Sequence, residues 1–458
     1  MLRYSGTYRN KNGRKMLENN ADIENLFDEL FPLPRSITGD GYRQSVQIIS
    51  RYIPFEIGRA LSGAKVFDWT VPPEWVIEDA YLIDPSGNKI LDFKKNNLEV
   101  LNYSEPIDKI MELDELNKNL HSIPEQPDWI PYVTSYYKKT WGFCLTDRQR
   151  QELKPGKYHA VIKSSFIDGA VEYGFKYLRG NTANEKGGVE RKLILISSYL
   201  CHPSLANNEL SGPIVLAALY QRMAKWKNRR FDYLFVINPE TIGSICFLHQ
   251  HGEEIAKSMQ AGLVLTCVGG PNEKLSYKKS RRGDSTLDKL FLQLEQEGEV
   301  EIREFDPSEG SDERQYCSSG FNLPVGQVAK TTYGSNPEYH TSADNKEFVE
   351  LDKFLSTTAK IENVLKIHEY LQPLERVEPY CEIQLGKRGL YPNINSPQTW
   401  DASSDSLIDH REQLKAIMYM LSYADGKHDL VDIAKLTKIK MKNLYRYAEI
   451  LINADVLK

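Results

Sequence analysis

The sequence predicts an α/β fold: a mixed, mainly parallel sheet flanked by helices, with an inserted β-rich domain and a C-terminal winged-helix domain. Three observations carry this. Residues 192–268 alternate apolar runs of strand length with amphipathic stretches of helix length. Residues 65–165 change to short alternating runs separated by turn residues, and residues 411–458 read helix, Asp-Gly turn, short helix, turn, helix. At 458 residues the chain exceeds one ordinary domain. The expected division is 1–62 as N-terminal helices of the core, 63–165 as the insertion, 166–372 as the core proper and 373–458 as the winged helix.

In order, MLENNADIENLFDELF places Ile23, Leu26, Phe27, Leu30 and Phe31 near helical period. PLPRSITGDG then supplies breakers and a cap-like Asp40 before a second amphipathic helix, GYRQSVQIISRYI. The runs KVFDWTV, VIEDAYLID and NKILDF read as strands around the turn Asp84-Pro85-Ser86-Gly87-Asn88. The β-rich texture continues through WIPYVTSYYKKTWGFCL to KYHAVIKSSF. The core follows as strand RKLILISSY, helix SGPIVLAALYQRMAKW, strand FDYLFVIN, a helix from Gly243 to about Met259 and strand AGLVLTCV. A helix STLDKLFLQLEQEG, strand PVGQVAK and a long helix from Asn345 to Leu371 complete it.

Bulk composition bounds the function. With 41% hydrophobic and 26% charged residues the chain can bury a large core. A net charge of −5 supplies no polycationic field for a phosphate backbone, so nucleic acid is not the expected partner. Six scattered cysteines without a CxxC pair point to reduced thiols and a cytoplasmic setting. The polar N-terminus lacks the apolar run of a signal peptide, and no stretch approaches the ~18 apolar residues that span a bilayer.

In mainly parallel sheets ligands sit beyond the C-terminal ends of strands. Three such ends carry chemistry. Leu200 runs into Cys-His-Pro-Ser-Leu-Ala-Asn-Asn-Glu-Leu-Ser-Gly, which presents His202; FDYLFVIN is followed by Pro-Glu-Thr-Ile-Gly-Ser, which presents Glu240; Tyr-His-Thr-Ser-Ala-Asp-Asn presents His340 and Asp344. Taken singly, each has an ordinary reading as a loop hydrogen-bonder or a helix cap. Gathered at one rim, two imidazoles and a carboxylate form a zinc-type ligand set, with Asp344 expected to accept from the His340 imidazole and orient it.

The motifs CHPSLANNELSG, NPETIGS, SDERQYCSSGFNLP and YHTSADN, in this order, resemble the zinc-aminopeptidase and glutaminyl-cyclase clan. With LPRSITGDGYR, VFDWTVPPEW and YVTSYYKKTWGFC, the whole chain resembles the aminopeptidase-like proteins of bacterial polysaccharide-biosynthesis loci, which combine a zinc-exopeptidase-like core, a β-rich insertion and a C-terminal winged helix. The resemblance implies a metal site, but with departures. Asn208 stands where the clan has a ligating carboxylate, and an amide cannot offset two cations about 4 Å apart. Neighbouring Glu209 is the substitute if the loop is re-registered. Pro239 precedes Glu240 where the clan has a Glu pair, and Thr266 stands at the place of a ligating Asp. The implied cofactor is therefore one Zn²⁺ rather than two, held by His202, Glu240, His340 and either Asn208 or Glu209.

If Glu240 ligates, coordination lowers its proton affinity, and Asp312 or Glu313 in Gly-Ser-Asp-Glu-Arg is the remaining acid-base candidate beside it. Arg281 and Arg282, with Lys278 and Lys279 nearby, are either receptors for an acidic substrate group or a solvated face. The aromatic stretch YVTSYYKKTWGF is either a carbohydrate-stacking wall or core packing. Lys438, Lys440, Lys442 and Arg446 give the winged helix a modest basic face, which fits an interaction or homodimer role better than DNA binding. The expected function is a metal-dependent, aminopeptidase-like hydrolase acting on an amide bond of a peptide or N-acyl amino-sugar intermediate. The alternatives are a catalytically degenerate scaffold that binds a glycan intermediate or partner and, further off, a ligand-sensing DNA-binding regulator.

Overall fold

The computed structural model describes residues 16–182, 191–392, 398–401 and 406–458; most of the polar N-terminal stretch lies outside them. The chain forms two compact units, one built from the described residues up to Gly283 together with Arg303–Ala359, the other from Asp284–Ile302 and Lys360–Lys458.

The first unit is organised by a mixed sheet. Its centre is Leu193–Tyr199, whose LILISSY run is buried throughout, as a strand covered on both faces must be. It pairs in parallel with Asp232–Asn238 on one side and Met259–Leu265 on the other, and Val325–Ala329 adds a fourth parallel strand beside the latter. The flanks are antiparallel: Leu275–Lys278 lies beside Val325–Ala329, and Ala170–Leu178 then Glu56–Leu61 continue beyond Asp232–Asn238. The parallel character predicted from strand-helix alternation thus belongs to the four central strands. The chain leaves Leu193–Tyr199 first to one side and then to the other, so a topological switch point, and with it a crevice, opens at the C-terminal end of that strand.

Helix Ser211–Ala224 packs closely under the crevice because Gly212 has no Cβ: one built there would lie 2.3 Å from Ser198 Oγ and 2.5 Å from the Leu265 carbonyl. The opening helix Asn20–Leu30 starts in a capping box between Asn19 and Asp22. In the second helix, Asp40–Ser50, Asp40 is the first helical residue rather than the cap; Gly39 occupies the cap, and Asp40 instead receives Arg43.

The insertion contains a four-stranded antiparallel sheet, in the order Lys89–Asp92, Glu74–Ile83, Lys157–Ile167, Ile107–Glu112. Asp84 closes the predicted turn by accepting the Ser86 and Asn88 amides. Two expectations differ here. KVFDWTV makes only the short hairpin Lys65–Val66 and Trp69–Thr70, and the aromatic stretch 132–144 is irregular apart from Phe143–Cys144. The long helix expected from Asn345 begins only at Phe354, because the Asn345 side chain captures the Glu347 and Phe348 amides and the Glu350 amide turns to the Gly269 carbonyl.

In the second unit, helices His410–Tyr423, Leu430–Thr437 and Met441–Asn453 follow the predicted order. A strand pair, Gln398–Asp401 with Ser406–Asp409, precedes them and was not apparent from sequence. Helix Thr286–Gln296 belongs to this unit, where Lys289 pairs with Asp429 at the start of Leu430–Thr437. Among the described residues no helix is long and apolar enough to cross a membrane.

Candidate functional site

Each parallel strand delivers its following loop to the crevice. After Leu193–Tyr199 the chain turns through Cys201 and His202 and re-enters a helix over Ala206–Leu210. Leu205 to Ser211 carries no side-chain cap of its own; Asp344 supplies one from the far side of the sequence, accepting the Asn207 amide at 2.6 Å and the Asn208 amide at 2.9 Å. The Asp344 carboxylate is therefore occupied by backbone rather than by the His340 imidazole. Burial pushes its pKa up to about 6.

The imidazole that does meet a carboxylate is His202. Its Nδ1 lies 2.7 Å from Glu209 Oε2, and the other Glu209 oxygen accepts the Cys201 amide. Both side chains are almost wholly buried. His202 Nε2 faces Glu240, 3.7 Å from its Oε2, while Ser311 Oγ donates to Glu240 Oε1 at 2.6 Å. Burial works against a charged His202, but the Cys201 sulfur and the Glu209 carboxylate outweigh it and hold the imidazole well above its usual range. Burial also raises the Glu240 carboxyl, with His202 and the Ser311 hydroxyl opposing. Arg35, from LPRSITGDGYR, is fully buried behind this loop and donates from Nε to the His202 carbonyl.

His340 comes to the same place: its ring centroid is 5.4 Å from that of His202. Tyr339 stacks on it at 3.9 Å, and burial followed by the His202 charge drives its pKa down to about 3. Its Nε2 is buried without a hydrogen-bond partner, as is Asn208 Oδ1, whose amide nitrogen is held by the Tyr199 hydroxyl. His340 also sits at φ +58°, a backbone angle uncommon for residues other than glycine. Ser204, Thr241 and Cys267, in the other strand-end loops, also have positive φ, so unusual backbone angles gather at the crevice.

The insertion builds part of the wall. Ile130 exchanges hydrogen bonds with Ser342, the Tyr132 amide donates to the His340 carbonyl at 2.7 Å, and the Tyr132 ring stands edge-on to His202 at 4.8 Å and to His340 at 5.2 Å. Neither Tyr132, Tyr199 nor Ser311 was singled out from sequence. The YVTSYYKKTWGF segment was the available signal for Tyr132, the residue of it whose ring packs against the imidazoles.

The remaining candidates sit differently. Asp312 is fully buried and accepts from Asn238 Nδ2, the Thr241 amide and Ser244 Oγ at 2.7–2.9 Å; burial, then the Glu240 charge, raises its pKa to about 7. Glu313 is an ion-pair partner of buried Lys278 at 2.7 Å and also receives the Ser311 amide and Gln327. Both carboxylates thus brace the loops around Glu240. Thr266 Oγ1 meets the Tyr199 hydroxyl at 2.6 Å. Arg281 and Arg282 are exposed on the turn after Leu275–Lys278, with Arg281 donating to Asn322, and Lys279 pairs with Glu304.

Among the described residues, the cluster of three metal-ligating types within 4.8 Å of one another is Cys201, His202 and Glu209 rather than His202, Glu240 and His340. Both Glu209 oxygens in that cluster already accept hydrogen bonds.

A family model for a domain of unknown function, DUF4910, matches residues 24–370, and a winged helix-turn-helix model matches residues 372–458. A Clostridium acetobutylicum protein named as a polysaccharide biosynthesis protein with an aminopeptidase-like domain is 41% identical over 98% of this chain and 99% of its own. The crystal structure of a candidate peptidase from Clostridium acetobutylicum superposes with a TM-score of 0.84 at 39% identity, over 96% of each chain. A zinc aminopeptidase from Bacillus subtilis shares the fold with a TM-score of 0.54 at 10% identity, over 77% of this chain and 95% of its own.

Proposed function

Since the chain belongs to the DUF4910 family and carries an aminopeptidase-like core followed by a winged helix, we propose that it is a metal-dependent hydrolase of amide bonds, with one cation held at the crevice. The observation that carries the reading is the His202 imidazole, held from behind by Glu209 and facing Glu240 in front. Four zinc donors at 2.0–2.1 Å in a tetrahedron stand about 3.4 Å apart, and the 3.7 Å between His202 Nε2 and Glu240 Oε2 is close to that. The buried, unpartnered His340 Nε2 and Asn208 Oδ1 are the further donors the arrangement offers. His202 is flanked by two carboxylates, so the position calls for positive charge.

We assign the ion to the Nε2 side of His202 and not to Cys201, His202 and Glu209. Ligation by that trio has to strip the Glu209 oxygens from the Cys201 amide and from Nδ1, whereas on the Nε2 side a cation would replace only the proton that faces Glu240 across 3.7 Å. Glu209 is then the orienting partner that metal-bound histidines require.

When bound, a divalent cation supplies Lewis acidity toward an amide carbonyl and acidifies water. The chain's own residues do the rest. Glu209 holds the Nδ1 proton of His202, so Nε2 is the nitrogen that would give up its proton to a cation. Ser311 holds one Glu240 oxygen and leaves the other toward His202. Asp312 ties Asn238, Thr241 and Ser244 together and so positions the loop that bears Glu240. The substrate is a peptide or an N-acyl amino-sugar intermediate, and six free thiols fit a reducing cytoplasm. The winged helix serves protein contacts, with homodimerisation the simplest form.

A second reading has a specific observation behind it. Asp312 and Glu313, the acid-base candidates of the Gly-Ser-Asp-Glu-Arg motif, are both engaged in hydrogen bonds or an ion pair, so neither stands free as a base beside Glu240. A catalytically degenerate protein that binds its ligand without cutting it fits this too. Zinc-loaded protein tested on aminoacyl and N-acyl-sugar panels separates the two. Turnover that His340→Ala abolishes supports the hydrolase, and no turnover on either panel leaves the binding protein.

A further inference from the structure

The SDERQY turn carries a charge that the arrangement above does not use. Arg314 lies in the short helix Glu313–Tyr316 and is half-buried. Its Nε donates to the Ser311 carbonyl at 3.2 Å, and the hydroxyl of the same serine donates to Glu240 at 2.6 Å. One residue thus joins the guanidinium to the carboxylate that faces His202.

A guanidinium has five N–H donors in a planar fork, and the bond to Ser311 uses one of them. That bond fixes the plane and leaves the Nη1–Nη2 side of the fork. Among the described residues no carboxylate lies within 4.0 Å of Arg314, although its neighbours on the turn are matched, Glu313 by Lys278 and Asp312 by three donors. The Arg314 charge is nonetheless felt at Glu240, where it favours the carboxylate. The arginines favoured from sequence, Arg281 and Arg282, are by contrast exposed, and Arg281 donates to Asn322.

A half-buried guanidinium with its plane fixed and its paired donors unspent is suited to bidentate recognition of a carboxylate or phosphate. We infer that Arg314 is a specificity residue of this site and receives an anionic group, carboxylate or phosphate, that the substrate carries beside the amide bond. The inference rests on the hydrolase reading for which bond is cut, but the recognition itself does not need turnover.

The test is calorimetric binding to the full-length chain of three probes: alanylalanine, its C-terminal amide and its phosphonate analogue. The wild-type protein binds at least one anionic probe about ten-fold or more tighter than the amide, as charge-assisted pairing gives. The carboxylate and phosphonate arms show which anion it prefers. In Arg314→Gln the discrimination falls to within about two-fold, and in Arg314→Lys, which keeps the charge without the fork, part of it returns. Equal binding of all three probes by the wild type, or discrimination that survives in Arg314→Gln, overturns the assignment. Discrimination lost in Arg314→Gln without hydrolysis of any probe supports Arg314 and counts against the hydrolase; hydrolysis without discrimination does the reverse.

Discussion

His202 Nδ1 stands 2.7 Å from Glu209 Oε2 in the interior of the first unit, and this bond decides which imidazole nitrogen faces the crevice. Glu209→Gln keeps the size of the side chain and an acceptor for the Cys201 amide but removes the charge behind the ring. Zinc affinity, followed by competition with a chromogenic chelator, falls by about 10–100-fold, as loss of an outer-shell carboxylate does elsewhere. Unchanged affinity removes Glu209 from the account.

Lys278 and Glu313 form an ion pair whose side chains are 2% and 0% exposed, so removing one partner strands a buried charge. Lys278→Met lowers stability by about 3–5 kcal/mol in urea unfolding, and adding Glu313→Gln recovers much of the loss. A catalytic Glu313 gives a different signature, with Glu313→Gln abolishing turnover at an unchanged unfolding midpoint.

Asp312 ties stability to pH. With its pKa raised from an ordinary 3.8 to about 7, the folded chain binds more protons than the unfolded chain between those values. Its contribution to stability is therefore full below about pH 4, declines as pH rises to about 7 and is flat above. Asp312→Asn, which cannot ionise, shrinks the difference between urea midpoints at pH 5 and pH 8. An identical pH dependence in the variant contradicts the assignment.

The central sheet was legible because Leu193–Tyr199 and Asp232–Asn238 are apolar runs bounded by turns, and their C-terminal ends point to His202 and Glu240. What sequence could not show was partnership across long separations. Asp344 is four residues from His340, and local spacing suggested that they pair. The carboxylate instead caps backbone more than 130 residues away, while Glu209, seven residues from His202, meets the imidazole. Tyr132 escaped notice for the same reason, since the contact of the insertion with the 340–342 loop joins segments 208 residues apart. The delayed start of helix Phe354–Glu369 was hidden by a local side-chain turn at Asn345 that competes with helix formation.

Elemental analysis of the purified full-length chain, beside a His202→Ala/His340→Ala double variant, tests the central claim most directly. One zinc per wild-type chain and none in the folded double variant is the predicted result. A wild-type chain that takes up no metal when offered zinc, or a double variant that retains the full complement, contradicts it.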